Sequence, residues 1–170
     1  MYKINDYLVY GKDVCKVYEI NEKRFNNTDY YLLRPIKDLS LKIEAPVTSN
    51  KIRPVITKEE LTKIIKEIPN IKPIESNDKF IESEYKRLLS TPTHENLIRV
   101  IKTTYLRNKE RLDNNKKVAE KDKSYFELAE DYLYNEFSIV LGYTFEETKA
   151  YVINEVLKNE KRMKWNFILV

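Results

Sequence analysis

The sequence predicts an α+β fold: a small antiparallel β-barrel, closed or half-closed, followed by an all-α bundle of about five helices. Three observations carry this. Residues 2 to 45 hold short alternating apolar and polar runs separated by turn residues. At Thr57 the apolar period changes from two to that of a helix. Capping signals then stand ahead of successive apolar stripes. The division this implies is 1–56 for the β module and 57–170 for the helical one.

The elements are justified in turn. Tyr7-Leu-Val-Tyr10 reads as a strand and Gly11-Lys-Asp13 as a turn. Val14-Cys-Lys-Val-Tyr18 alternates, and Asn26-Asn-Thr-Asp29 marks a second turn because Asn tolerates the left-handed conformation. Tyr30–Leu33 and Leu39–Ile43 are expected as further strands, the latter with Leu39, Leu41 and Ile43 on one face. Pro46 and Pro54 flank the exit.

Thr57-Lys-Glu-Glu60 fits a capping box, in which hydroxyl and carboxylate each satisfy an orphan backbone N–H. Leu61, Ile64, Ile65 and Ile68 follow at helical spacing until Pro69. A linker over 70–77 leads to a helix expected from Asp78 to Leu89, with Phe80, Ile81, Tyr85, Leu88 and Leu89 inward. Pro92 or Thr93 starts the next helix, with Leu97, Ile98, Val100, Ile101, Tyr105, Leu106 and Leu112 on its apolar face. Ser124-Tyr-Phe-Glu127 and Thr144-Phe-Glu-Glu147 read as two more capping boxes, and Gly142 as a C-terminal cap between them. The tail ends in the apolar run WNFILV.

Composition narrows the function classes. The 170 residues are 42% hydrophobic and 34% charged, yet the formal net charge is only +4. Anion binding must therefore come from clustering rather than bulk charge. The cluster lies between Asn96 and Lys123, which holds Arg99, Lys102, Arg107, Lys109, Arg111, Lys116, Lys117, Lys121 and Lys123. Read by itself, the stretch is either a solvated helix with a lysine-rich loop or a surface for something anionic. No apolar run reaches the roughly 18 residues of a membrane span. The start, MYKINDYLVYGKD, lacks the apolar segment and cleavage site of a signal peptide. Cys15 is the single cysteine, so no internal disulfide forms and a cytoplasmic setting is expected.

No chemistry is legible. His94 is the sole histidine, which leaves no zinc spacing, and two glycines make no phosphate loop. A Cys15–His94 nucleophilic pair is formally possible, but a cysteine among apolar strand neighbours reads as a buried small hydrophobe. Glu59–Glu60 and Glu146–Glu147 are explained as helix-start residues. Tyr7, Tyr10, Tyr18, Tyr30 and Tyr31 have the residue type of a cation cage, but they are also good strand residues for a small core. No catalytic residue, metal site or cofactor is expected.

The order of motifs is more specific than any one of them. Asp6-Tyr-Leu-Val-Tyr-Gly11 with Val14-Cys-Lys-Val17 resembles the first hairpin of the CarD/CdnL family of bacterial RNA-polymerase-binding regulators. Tyr30-Tyr-Leu-Leu-Arg-Pro35 resembles its third strand, and Ile52-Arg-Pro-Val-Ile56 with Lys58-Glu-Glu-Leu61 its junction between barrel and helices. Ile98–Arg107 and Ala129–Phe137 are similar to its two signature helices. The resemblance spans roughly residues 5 to 157.

It implies an SH3- or Tudor-like barrel that docks on the RNA polymerase β subunit, and a helical domain that meets promoter DNA and modulates open-complex stability without chemistry. It implies polymerase contacts at Lys42 and at Lys23 or Arg24. It implies DNA contacts at Lys123, Lys79 and Lys86; Arg87 and the loop residues Lys116, Lys117 and Lys121 of the basic stretch complete the expected DNA-binding set. Many members carry a tryptophan wedge at the start of the second helix. Here Ile74 or Phe80 lies near that position, and the only tryptophan is Trp165. The expected protein is a monomer near the nucleoid, and the alternative is an adaptor of the same fold that has lost DNA binding.

Overall fold

A computed structural model describes residues 1–25 and 27–163, with side chains for all of these except 23–25 and 160–163. Five antiparallel strands, β1 (Tyr7–Tyr10), β2 (Asp13–Phe25), β3 (Thr28–Pro35), β4 (Ile43–Pro46) and β5 (Ile52–Pro54), form one sheet in the order β4-β3-β2-β1-β5. The sheet is open, with β4 and β5 as its edges, where a barrel was expected. Gly11 takes φ +64° in the two-residue turn between Tyr10 and Asp13. That left-handed geometry matches the twist of a hairpin and costs glycine nothing. Asn27 does the same at the β2–β3 turn, with φ 59°. Leu8, Cys15, Val17, Tyr31, Leu33 and Ala45 form the core of the module.

The strand expected over Leu39–Ile43 is corrected. β4 starts only at Ile43, and Leu39 and Leu41 are exposed. The Asp38 carboxylate accepts the Ser40 backbone N–H at 3.0 Å, and the Asp38 carbonyl accepts that of Leu41 at 3.2 Å. This aspartate turn competes successfully with the ladder.

Five α-helices follow: α1 (Lys58–Glu67), α2 (Ile81–Ser90), α3 (His94–Asp113), α4 (Glu120–Leu141) and α5 (Phe145–Met163). The Thr57–Glu60 box is closed in both directions, as is Thr144–Glu147. Thr93 caps α3, and Gly142 ends α4 at φ +69°. The box expected at Ser124 is absent. α4 begins a turn earlier because Asn108 Oδ1 accepts the Ala119 N–H at 3.0 Å, and the Ser124 hydroxyl donates to the Glu120 carbonyl inside the helix. Two further expectations fail at helix ends. Phe80 and Leu112 are exposed, at 53% and 57%, because each lies at or near the end of its helix, beyond the reach of the bundle core.

The helices share a second apolar cluster that includes Leu61, Ile65, Tyr85, Val100, Leu133 and Phe137. α3 lies along α4, with α2, α1 and α5 packed around the pair. Lys102 is buried on α3, and its ammonium donates to the carbonyls of Ile68, Pro69 and Ile71. These carbonyls lie at the end of α1 and its terminal 3-10 turn (Ile68–Asn70); that of Ile68 also accepts the Ile71 N–H, and the cation meets the negative end of the helix dipole.

Three cations of the sheet module grip one face of α4. Lys37 pairs with Asp131, the Lys12 ammonium lies 5.2 Å from the Tyr132 ring centre, and Arg53 pairs with Glu136. Asp131 adjoins Tyr132, and Glu136 stands four residues beyond Tyr132, one turn along the same side of the helix. The Arg53–Glu136 contact is a two-pronged fork at 2.6 and 2.8 Å. Glu136 also accepts the Ile56 N–H at 3.1 Å and faces His94 Nε2 at 2.9 Å. Burial by itself raises its pKa. The bonds from Arg53 and His94 outweigh burial and hold the carboxyl at about 2.

Candidate nucleic-acid interface

The basic cluster is assembled where the entry to α2 meets the α3–α4 connection. Asn77 Oδ1 accepts the backbone N–H groups of Lys79 and Phe80, both at 3.2 Å, which sets the chain entering α2. Phe80 is thereby held outward, with the Lys79 ammonium 5.5 Å from its ring centre. Two residues on, Glu82 bridges Lys86 at 2.9 Å and Lys121 at 3.4 Å, so the faces of α2 and α4 that carry these lysines adjoin. Arg107 ties α3 to the same place through Asp78 at 2.7 Å.

Glu82 thus gathers Lys86 and Lys121, and Asp78 gathers the 107–116 segment beside Lys79 and Phe80, although these residues come from different elements. Lys116 and Lys117 are exposed in the loop, whose path is fixed by Arg111 Nε donating to the Lys117 carbonyl at 2.8 Å. Among the described residues, Lys116 and Lys117 have no acidic partner.

Other expected site residues fall elsewhere. Ile74 is not a surface wedge: it is 8% exposed in the helical core, and its N–H donates to Thr103 Oγ1 at 2.7 Å. Arg87 pairs with Glu84 at 2.7 Å, away from the Glu82 face. Lys123 is exposed, but two residues along a helix rotate it by about 200° from Lys121. In the sheet module, Lys42 is exposed immediately before edge strand β4. Lys23 and Arg24 lie on β2, and their side chains are outside the described set. The WNFILV run with Trp165 lies outside the described residues.

Sequence reasoning did not single out Arg107 and Arg111 as site residues. They stand four apart on α3 and line a pocket of about 140 Å³ together with Asp78, Glu110, Asn114 and Lys116. Arg107 is oriented from behind. Its Nε donates to Asp122 Oδ2 at 3.1 Å, and the Tyr85 hydroxyl donates to the other oxygen of that buried carboxylate at 3.0 Å. Burial disfavours the charge on Arg107, but its bonds to Asp78 and Asp122 prevail and raise its pKa. The i,i+4 arginine spacing was the available signal.

The cation-cage reading finds little support, since Tyr31 is buried and the Arg34 guanidinium already lies 3.8 Å from the Tyr18 ring centre. Cys15 is buried, and burial followed by the nearby Asp13 charge pushes its thiol up to about 12. Among the described residues no helix is long and apolar enough to cross a membrane. No protein-family model matches this chain, and no curated protein matches it.

Proposed function

We propose that this protein is a transcription regulator of the CarD/CdnL kind. In this reading the sheet module docks on the RNA polymerase β subunit, and the helical module touches promoter DNA phosphates without reading sequence. Joint engagement alters the stability of the open complex. The supporting observation is that Lys79 lies beside exposed Phe80 at the entry to α2, where Lys86 and Lys121 also meet at Glu82 and Lys116 lines the pocket of Asp78. Cations beside an outward aromatic suit a phosphate backbone next to an unstacked base step. The grip of Lys12, Lys37 and Arg53 on α4 supports it further, because it holds one module in a set orientation to the other. The motif order, from Tyr7 through the two signature helices, supplies the polymerase half.

The test is binding of fluorescent upstream-fork promoter DNA by the full chain, with and without RNA polymerase, over a salt series. Changing Lys116, Lys117, Lys121 and Lys123 together to Gln is expected to weaken binding at least tenfold and to flatten its salt dependence. Unchanged binding and transcription refute the DNA half. Full-length Lys42→Glu is expected to lose co-purification with the β subunit, and undiminished retention refutes the polymerase half.

A second reading, an adaptor without DNA function, is favoured by the acids already in place: Glu82 on Lys86 and Lys121, and Asp78 on Arg107. Polymerase retention with no salt-sensitive DNA binding selects it.

A further inference from the structure

The pocket at the tip of α3 holds Arg107, Arg111 and Lys116 against the carboxylates of Asp78 and Glu110. Its volume of about 140 Å³ suits one small anionic group rather than an extended ligand. Two features separate it from an ordinary solvated charge cluster. Arg107 is not a loose surface side chain. It is only 25% exposed and is anchored through Nε to Asp122, which is itself fully buried and fixed by Tyr85. The guanidinium therefore presents its Nη1 edge to the pocket in a set direction. That edge is taken by Asp78 at 2.7 Å, and Asp78 is 88% exposed on the irregular segment before α2. The partner on the buried side is permanent, and the partner on the open side is a solvated carboxylate with little else to hold it.

Arg111 completes the arrangement. Its Nε is committed to the Lys117 carbonyl, which leaves its terminal nitrogens without a hydrogen-bond partner among the described residues. The Arg111–Lys117 bond also draws the loop back toward the helix and brings Lys116 to the pocket wall. Arg107 and Arg111 both act on the Asp78 carboxyl, lowering its pKa, with the Arg107 bond the larger cause. An oxyanion placed where Asp78 now sits faces the Arg107 and Arg111 guanidinium groups, with Lys116 lining the same pocket. Guanidinium groups suit phosphate because their paired N–H donors match its oxygens.

We infer that this pocket seats a single phosphate of a nucleic-acid backbone, and that Asp78 is its built-in competitor. The inference rests on the DNA-contact reading and adds to it. It moves the tightest phosphate contact from the loop lysines to Arg107 and Arg111. It also explains how an acid at the interface is compatible with DNA binding: Asp78 occupies the seat until a phosphate displaces it. With Asp78 swung away, three cations face only Glu110 among the charged residues lining the pocket.

The experiment uses the full chain and fluorescent upstream-fork DNA, in the presence and absence of RNA polymerase, with affinity measured across a salt series. Asp78→Asn removes the competitor at an exposed position and is expected to tighten binding about threefold at low salt. Asp113→Asn, an equal charge change at an exposed α3 position outside the pocket, is expected to have a clearly smaller effect. Arg111→Gln with Lys116→Gln is expected to weaken binding and to lower the slope of log K against log salt by about 0.9 for the lost phosphate. Arg107 is left in place, since removing it strands buried Asp122.

If wild-type protein binds but Asp78→Asn matches wild type or Asp113→Asn, the pocket assignment is overturned while DNA contact stands. Wild-type affinity in the Arg111→Gln, Lys116→Gln protein overturns it equally. If neither wild type nor Asp78→Asn binds the fork under any condition, both the pocket and the DNA reading fall.

Discussion

Removing the Glu136 carboxylate is the sharpest test of how the two modules are joined. The Glu136 side chain is 3% exposed and accepts bonds from Arg53, Ile56 and His94. Burial opposes ionisation, yet the bonds from Arg53 and His94 bring the carboxyl to about 2, below its ordinary value of 4.5. The folded state therefore binds this proton less readily than the unfolded chain does. Its contribution is complete above about pH 4.5 and is lost as pH falls toward 2. At about 1.4 kcal/mol for each pH unit of difference, the ionised carboxylate contributes about 3 kcal/mol at neutral pH. Glu136→Gln preserves shape and removes the charge. Urea unfolding monitored by circular dichroism at pH 7 is expected to show a loss of about 2 to 3 kcal/mol, shrinking steadily below pH 4.5. Equal midpoints for the two proteins at pH 7 refute the reasoning. So does a deficit that persists unchanged at pH 2.

Other substitutions separate core from surface. Lys102→Met keeps the buried stem but strands the Ile71 carbonyl and takes one of two donors from that of Ile68; a loss of about 2 kcal/mol in chemical denaturation is expected, with DNA affinity per folded molecule unchanged. Ile74→Ala is expected to cost about 2 to 4 kcal/mol, because its side chain fills the helical core. Phe80→Ala, by contrast, changes stability by no more than about 0.5 kcal/mol while shortening open-complex lifetime in a transcription assay. The Cys15 thiol, held at about 12, is expected to resist a disulfide reagent at pH 8 in the native protein and to react at once in denaturant. Rapid native labelling counts against its burial.

Much of the fold was legible because local chemistry and tertiary packing agree. Thr57, Thr144 and Gly142 cap helices for reasons that need only a few neighbouring residues, and Gly11 turns a hairpin by the same logic. Reading failed where two local signals competed. Leu39 and Leu41 alternate like a strand, but the Asp38 side chain captures the backbone first. Ser124 looks like a cap, but the helix had already begun at Glu120 under the influence of Asn108, which is distant in sequence. The candidate site was legible as a run of basic residues, but not in its geometry. Lys102 belongs to that run by sequence, yet it is turned inward to the end of α1. Ile74 and Phe80 were equal candidates for an exposed wedge until packing buried one and left the other out.

The sequence alone determined the α+β order, the positions of most helix starts and the clustering of positive charge between Arg99 and Lys123. These depend on period, capping and composition, which act over a few residues. Only the tertiary structure decided which charges are free to act. Arg53, Lys102 and Arg107 are claimed by buried acids or carbonyls, Lys86 and Lys121 share Glu82, and Lys116 is left at a pocket shared with Asp78. The physical reason is that an ion pair is set by through-space distance and burial, and both are fixed only when remote segments meet.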